Sequence, residues 1–567
     1  MTPLRQSLVQ LLVASGCPGD EAPTLAAKQN NGQSWTNEVL DSGKVDEVRF
    51  TAELGRLFKT QVEQAEVTNV DRACLGLLPS RFVFKHHILP VSQTETSITL
   101  ATYDVFNSSA RRLAQQILTK KLVWVLIPRS QLLRTIKALY GVGAETFEEI
   151  LQSSTTLEAI DESSKSTDLD ADDPEASVVK FVNQIIREAI HERATDIHVE
   201  PLENDLRIRY RIDGILHEVA VPPQLRLLQS AIISRLKVMA QMDIAERRLP
   251  QDGRINLSQG TEAIDVRVST VPTVNGESVS LRLLTRAAAQ FDFDRLDLSV
   301  AQEKIVRMLL AYPNGIILVT GPTGSGKSTS LYSFLSAINT VQRRILTIEE
   351  PVEYRLPGVM QIDVKPEIGL TFAAGLRHIL RQDPNVVMVG EIRDFETAEI
   401  AIRAAMTGHL VFSTLHTNDA VGGITRLLDM GIEPFLLASV VRAFIAQRLV
   451  RTICTQCAAP AEYPQDYLKQ IEAPLNQTFY RGTGCEHCRQ TGYRGRAAIL
   501  EFCAVSEKLH RLIVSKATGG DLKAQAVRDG MLSLRQDGWR RVIARQTTVE
   551  EVVRATQADE ALAEMDS

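Results

Sequence analysis

The sequence predicts an α/β protein: a domain with a parallel sheet, preceded by a smaller α/β domain with an antiparallel sheet and followed by a small metal module and a helical tail. Three observations predict it. Gly321-Pro322-Thr323-Gly324-Ser325-Gly326-Lys327-Ser328-Thr329 fits G-x-x-x-x-G-K-[ST] and lies between a strand-like run and a helical pattern. Leu206 to Ile212 alternates apolar and basic residues, the period of a half-buried strand. Four of the seven cysteines form two C-x-x-C pairs, Cys454 with Cys457 and Cys485 with Cys488.

A length of 567 residues corresponds to three or four domains at about 150 residues each. With 44% hydrophobic residues, 23% charged and a net charge of −6, the composition is that of a soluble globular protein and makes no whole-chain case for nucleic-acid binding. No apolar run approaches the roughly 20 residues needed to cross a bilayer. Met1 to Gly16 carries one arginine and a short apolar patch, with no cleavage pattern after it. The expectation is a cytoplasmic protein, peripheral at a membrane through a partner. An odd cysteine count with two C-x-x-C pairs favours metal over disulfides.

Residues 1–48, rich in Gly, Asn and Ser beyond Gly16, predict a partly ordered lead-in. Residues 49–144 alternate helical and strand-like runs, with strands at Ile98 to Thr102 and Leu122 to Ile127, and predict a small docking domain without chemistry of its own. Residues 145–176, with Asp168, Asp170, Asp172 and Asp173 close together, bury too little to order themselves and predict an acidic linker.

Residues 177–290 predict an arginine-bearing α/β domain. Alternation puts Leu206, Ile208, Tyr210 and Ile212 on one face and Arg207, Arg209 and Arg211 on the other. Asp213-Gly214 predicts a hairpin turn, and a second hairpin near Asn275-Gly276 carries Arg267 and Arg282. Two readings fit these arginines: a solvated sheet face, or a surface that closes over phosphates as arginine fingers.

Residues 291–450 carry the glycine loop. Gly315 to Thr320 reads as a strand buried on both faces. In this context the loop amides and the following helix N-terminus make a phosphate cradle; Lys327 would reach the β- and γ-phosphates and the Ser328 hydroxyl would hold Mg²⁺. Strands at Ile345 to Ile348, Val386 to Val389 and Leu410 to Thr414 alternate with helices, the rhythm of a parallel sheet. Carboxylates stand at strand ends: Glu349, Glu350 and Glu391, placed to bind Mg²⁺ or orient an attacking water. His409 and His416 bracket the strand Leu410 to Thr414. Residues 451–500 hold the four cysteines, which read as a closed tetrahedral Zn²⁺ site although the interval between the pairs exceeds the usual ribbon spacing. Cys17, Cys74 and Cys503 read as packing residues. Residues 501–567 are helical in pattern, the last helix opening on a capping box, Thr548-Val549-Glu550-Glu551.

Taken together, GPTGSGKST, TIEEPVEY (347–354), GLRHILRQDPNVVMVGEIRD (375–394), TGHLVFSTLHTNDA (407–420), ATDIHVEP (194–201), RRLPQDGRI (247–255) and the tetracysteine resemble the ATPases of type II secretion and type IV pilus assembly. The resemblance spans about 177–556 and implies a homo-hexameric motor that binds ATP, Mg²⁺ and Zn²⁺. ATP would lie between a RecA-like domain and the arginine-bearing domain. By position, Glu349, Glu350 and Glu353 are similar to the family's aspartate box, Glu391 to its Walker B carboxylate, and His409 and His416 to its histidine box. Implied partners are inner-membrane platform proteins, reached through the amino-terminal domain, with no nucleic acid. The stretch 426–451 looks more like the secretion branch than the pilus branch. Glu350 stands where the family has Asp, Asn385 where an aspartate is common, and no repeated Arg-Leu-Gly motif is present. A non-hydrolysing, nucleotide-bound scaffold is the reading of a different class.

Overall fold

The computed structural model describes residues 3–27, 34–63, 70–141, 177–222, 225–259, 262–285, 291 and 293–556. The acidic stretch read as a linker lies outside them. The chain divides into two compact units, Met1–Leu283 and Leu284–Ser567.

In the first unit, the amino-terminal residues are more structured than their composition predicts. Helices Pro3–Ala14, Trp35–Asp41 and Glu47–Phe58 bury Leu12, Val39 and Phe50 in one core with Leu126. The apolar patch of Leu8, Leu11 and Leu12 supplies one helix face, and Trp35 seals it, edge-on to Phe106 at 5.2 Å. Leu126 ends a strand of a four-stranded sheet ordered Gln61–Val62, Lys121–Leu126, Ser97–Thr102 and Leu89–Gln93.

The same unit holds the helix Ser177–His191 and a six-stranded sheet, ordered Ile215–Val219, Leu206–Ile212, Asp196–Pro201, Gly276–Thr285, Glu262–Thr273 and Gln251–Gln259. Leu206, Ile208 and Tyr210 are buried under the helix residues Phe181, Val182 and Ile186, as alternation requires. Asp213 (φ 49°) and Gly214 (φ 88°) make the left-handed pair that a two-residue hairpin demands.

The second unit is built on a seven-stranded sheet ordered Met360–Asp363, Ile345–Glu349, Val386–Val389, Leu410–Leu415, Gly315–Thr320, Val441–Ile453 and Tyr493–Ala504. All neighbours are parallel except the last pair. Four of these strands are apolar runs buried on both faces, between a core around Ile316, Val387 and Val411 and another around Ile317, Leu335 and Phe412. The sequence boundaries at 450/451 and 500/501 fall inside the two long strands Val441–Ile453 and Tyr493–Ala504. The cysteine module therefore rises between two strands of the main sheet. Leu509, Ile513 and Leu522 of the carboxyl-terminal helices pack into the same core as Val411. Among the described residues no helix is long and apolar enough to cross a membrane.

Candidate nucleotide site and cysteine cluster

The phosphate-loop geometry follows from three glycines. Gly321 (φ 146°), Gly324 (φ 79°) and Gly326 (φ 87°) adopt backbone conformations that side chains disfavour. A Cβ at Gly321 would lie 2.5 Å from the Gln447 carbonyl oxygen, and one at Gly326 2.8 Å from Gln447 Nε2. The helix Lys327–Ile338 starts directly on Gly326. Ser325 Oγ is buried in the loop without a hydrogen-bond partner among the described residues. Lys327 Nζ donates to the Gly321 and Pro322 carbonyls at 2.8 and 3.1 Å. A bare-backbone cradle, an unsatisfied hydroxyl and a loop-bound ammonium suit a polyphosphate. Burial lowers the Lys327 pKa, and the Glu391 charge opposes that shift.

The acidic residues divide into two groups. Glu349, last in its strand and 5% exposed, accepts hydrogen bonds from Tyr332, from Thr347 at 2.5 Å and from Gln361 at 3.1 Å. Burial pushes its carboxyl pKa up, against those three donors. Tyr332 sits on the phosphate-loop helix, and its hydroxyl also accepts from the Glu353 amide at 3.3 Å. Gln361 donates to the Tyr354 carbonyl at 2.9 Å and accepts from the Leu356 amide at 2.7 Å. Glu349 is thus the centre of a buried network that shapes the loop bearing Glu350 and Glu353.

Glu391 follows the strand Val386–Val389 and belongs to the second group. Its carboxylate meets Arg393 Nη2 at 2.5 Å and His416 Nε2 at 3.3 Å. Arg393 also reaches Glu350 at 3.2 Å. His409 is elsewhere: its Nδ1 lies 2.9 Å from the Ala404 carbonyl at the end of the helix Phe395–Met406, and 3.3 Å from the Thr407 hydroxyl. The intervening strand Leu410–Leu415 puts seven extended steps of about 3.3 Å between the two histidines, about 23 Å in all. Of the two histidines that bracket this strand, His416 meets Glu391 within this chain, and His409 meets the Ala404 carbonyl and the Thr407 hydroxyl.

In the first unit the arginines answer acids on neighbouring strands. Arg207 Nε donates to Glu200 at 2.9 Å, and Arg209 pairs with the same carboxylate. Asp196 lies 3.1 Å from Arg282 Nε and 3.5 Å from Arg211 Nε. The register places Arg207 opposite Glu200, and Arg211 and Arg282 on either side of Asp196. Arg267 lies on the adjacent strand Glu262–Thr273.

Cys454, Cys457, Cys485 and Cys488 bring their sulfurs within 4.8 Å of one another. The Cys454–Cys485 and Cys457–Cys488 separations are both 3.7 Å, and Cys485–Cys488 is 3.6 Å. Zn–S bonds of about 2.3 Å give tetrahedral edges of about 3.8 Å, so the donor set fits zinc. Burial would raise the Cys488 thiol, but the amides of Cys485 and Gly492, each 3.2 Å from its sulfur, bring it down to about 7.

Residues 171–554, more than half of the chain, match the family described as Type II/IV secretion system protein. The chain belongs to that family. Residues 58–146 match the MshEN domain. The chain is 49% identical over 491 residues to the type II secretion system ATPase E of Vibrio cholerae serotype O1, covering 85% of this chain and 90% of that protein. It is 52% identical over 393 residues to the type II secretion system protein E of Aeromonas hydrophila, covering 69% and 78%. To the type IV pilus assembly ATPase PilB of Myxococcus xanthus it is 40% identical over 546 residues, covering 94% and 95%.

Three site residues of this secretion-family ATPase escaped sequence reasoning. Arg393 stands in the quoted stretch 375–394, yet only folding shows it between Glu350 and Glu391. Tyr332 lies in the helix after the loop, and no motif marks it. Gln447, whose Oε1 accepts from Ser330 at 2.8 Å, belongs to a strand that the apolar pattern did not reveal.

Proposed function

We propose that this ATPase hydrolyses ATP with Mg²⁺ to power type II protein secretion at the cytoplasmic face of the inner membrane. The observation that carries this reading is the convergence, in one unit, of the glycine loop with Lys327 and the Glu391–Arg393–His416 cluster. Lys327 and the loop amides would bind the phosphates, and Ser328 would hold Mg²⁺, which supplies charge neutralisation for phosphoryl transfer. Glu391 is the carboxylate assigned to orient the attacking water, with His416 holding it in place. Glu349 is assigned to shaping the Glu350–Glu353 loop. Arg209, Arg211, Arg267 and Arg282 remain the candidates for closing the site, and Arg209, Arg211 and Arg282 would have to exchange an acidic partner for a phosphate.

The active form in this reading is a homo-hexamer, tethered to membrane platform proteins through residues 49–144. Cys454, Cys457, Cys485 and Cys488 would bind a structural Zn²⁺. The likeness to a pilus assembly ATPase along nearly the whole chain favours one alternative, pilus assembly. Complementation tests both: in a strain lacking its own copy, the parent gene restores export of a secreted hydrolase and the Lys327→Ala gene does not. Restored pilus extension with no restored export would contradict the secretion reading.

A further inference from the structure

Glu501 is a carboxylate that the site described above does not use. It lies on the strand Tyr493–Ala504, opposite Ala446, and is 2% exposed. One carboxylate oxygen accepts from the Ala420 amide at 2.8 Å and the other from the Leu534 amide at 3.3 Å. These are the first amides of two helices, Ala420–Asp429 and Leu534–Ile543. Amides at that position have no partner within their own helix, and the helix dipole favours a negative charge there. A single side chain therefore caps both helices.

The first of these helices is joined to the site. His416, which meets Glu391, is followed by Thr417, Asn418 and Asp419, and then by the capped Ala420. The Asp419 carbonyl accepts from the Thr417 hydroxyl at 3.0 Å and from the Thr320 hydroxyl at 3.3 Å. Thr320 is the residue before Gly321, so the segment is bonded to the root of the phosphate loop. The Asp419 carboxylate caps Gly422 at 2.7 Å and pairs with Lys523 at 3.3 Å. Arg448 Nη2 donates to the Asn418 carbonyl at 3.3 Å.

We propose that Glu501 is a positioning residue for ATP hydrolysis: its carboxylate fixes segment 416–419 against Glu391 and locks that segment to the carboxyl-terminal helix Leu534–Ile543. The proposal rests on the ATPase reading of the site. Burial and the nearby Asp419 charge make a carboxylate here costly, and Lys523 offsets only part of that. A neutral amide would turn a donor toward one of two backbone donors, so the double cap requires two acceptor oxygens, which the carboxyl group of Glu501 supplies. Through this residue, displacement of the carboxyl-terminal helices reaches the histidine beside Glu391.

The test uses the full-length protein and Glu501→Gln, with Asp537→Asn as the comparison. Asp537 anchors the same terminal helix, accepting from Leu500 and Gln302 at 2.9 Å each, without touching segment 416–419. Glu501→Gln is expected to lower kcat about tenfold, with affinity for a non-hydrolysable ATP analogue within about twofold of the parent. Asp537→Asn is expected to lower the melting temperature while kcat stays within about twofold. Parent-like kcat in Glu501→Gln overturns the proposal, as does a loss of activity in both variants that tracks their loss of melting temperature. If Glu501→Gln does not fold, Glu501→Asp keeps the charge, shortens the reach by one methylene and is expected to lower kcat about threefold. Amide exchange provides a readout independent of turnover: the Ala420 and Leu534 amides should exchange faster in the variant, and unchanged exchange would overturn the proposal. Absence of turnover in the parent defeats the ATPase reading instead.

Discussion

One hydroxyl, that of Tyr332, joins the phosphate-loop helix to the acidic loop by donating to Glu349 and accepting from Glu353. Tyr332→Phe keeps the ring packed edge-on to Phe291 at 5.0 Å and removes only the hydroxyl. Loss of a hydrogen bond to a charged group, about 1.5–3 kcal/mol, predicts a kcat roughly 10- to 100-fold lower with ATP affinity retained. Steady-state kinetics with a nucleotide-binding titration check it; an unchanged kcat would remove Tyr332 from the reaction. Gly321→Ala is expected to abolish ATP binding, because its Cβ would strike the Gln447 carbonyl, and an equilibrium binding assay reads the outcome directly. The loop was legible in the sequence because its chemistry is backbone chemistry, which only glycine at fixed spacing permits. Glu349 and Glu391 looked alike, both acids near strand ends. Their difference lies in what folds around them: three neutral donors in one case, Arg393 and His416 in the other.

Strands buried on both faces announced themselves as apolar runs. The long strand Val441–Ile453 did not, because Arg442, Gln447, Arg448 and Arg451 interrupt its pattern, and its partner was hidden behind the cysteine module. The carboxyl-terminal helix shows a related limit. Thr548 caps the Glu551 amide at 3.3 Å, but the Glu551 carboxylate leaves the expected capping box for Arg451, at 2.7 Å, and Arg554, at 2.8 Å. Burial alone would raise the Glu551 pKa; the two arginines outweigh it and hold the carboxyl at about 2. A depressed carboxylate stabilises fully above its unfolded value of about 4.5, and that contribution is lost as pH falls from about 4.5 toward 2. Glu551→Gln should therefore cost about 3 kcal/mol at neutral pH, with the gap to the parent narrowing on acidification, as read by thermal melts. A gap that widens at low pH would contradict the pairing. In the cysteine module, one zinc per chain is expected by elemental analysis. Chelation or Cys485→Ser should destabilise the segment between the two long strands, seen as faster amide exchange there. A chain purified without chelator and free of zinc would contradict the assignment.

The phosphate loop and the carboxylates lie in one unit and the arginine-bearing strands in the other. Sequence alternation located the arginine face correctly, yet could not show that Glu200 and Asp196 already answer Arg207, Arg209, Arg211 and Arg282, because those acids lie on a separate strand. Substituting Arg209 or Arg282 by Gln is expected to lower turnover only if the residue gives up its acidic partner in the working assembly. The decisive measurement is phosphate release by the purified protein with ATP and Mg²⁺, made on the parent, Lys327→Ala and Glu391→Gln. The parent should turn over at least about tenfold faster than either variant, with Glu391→Gln still binding ATP. Equal rates for the parent and Lys327→Ala would contradict the account.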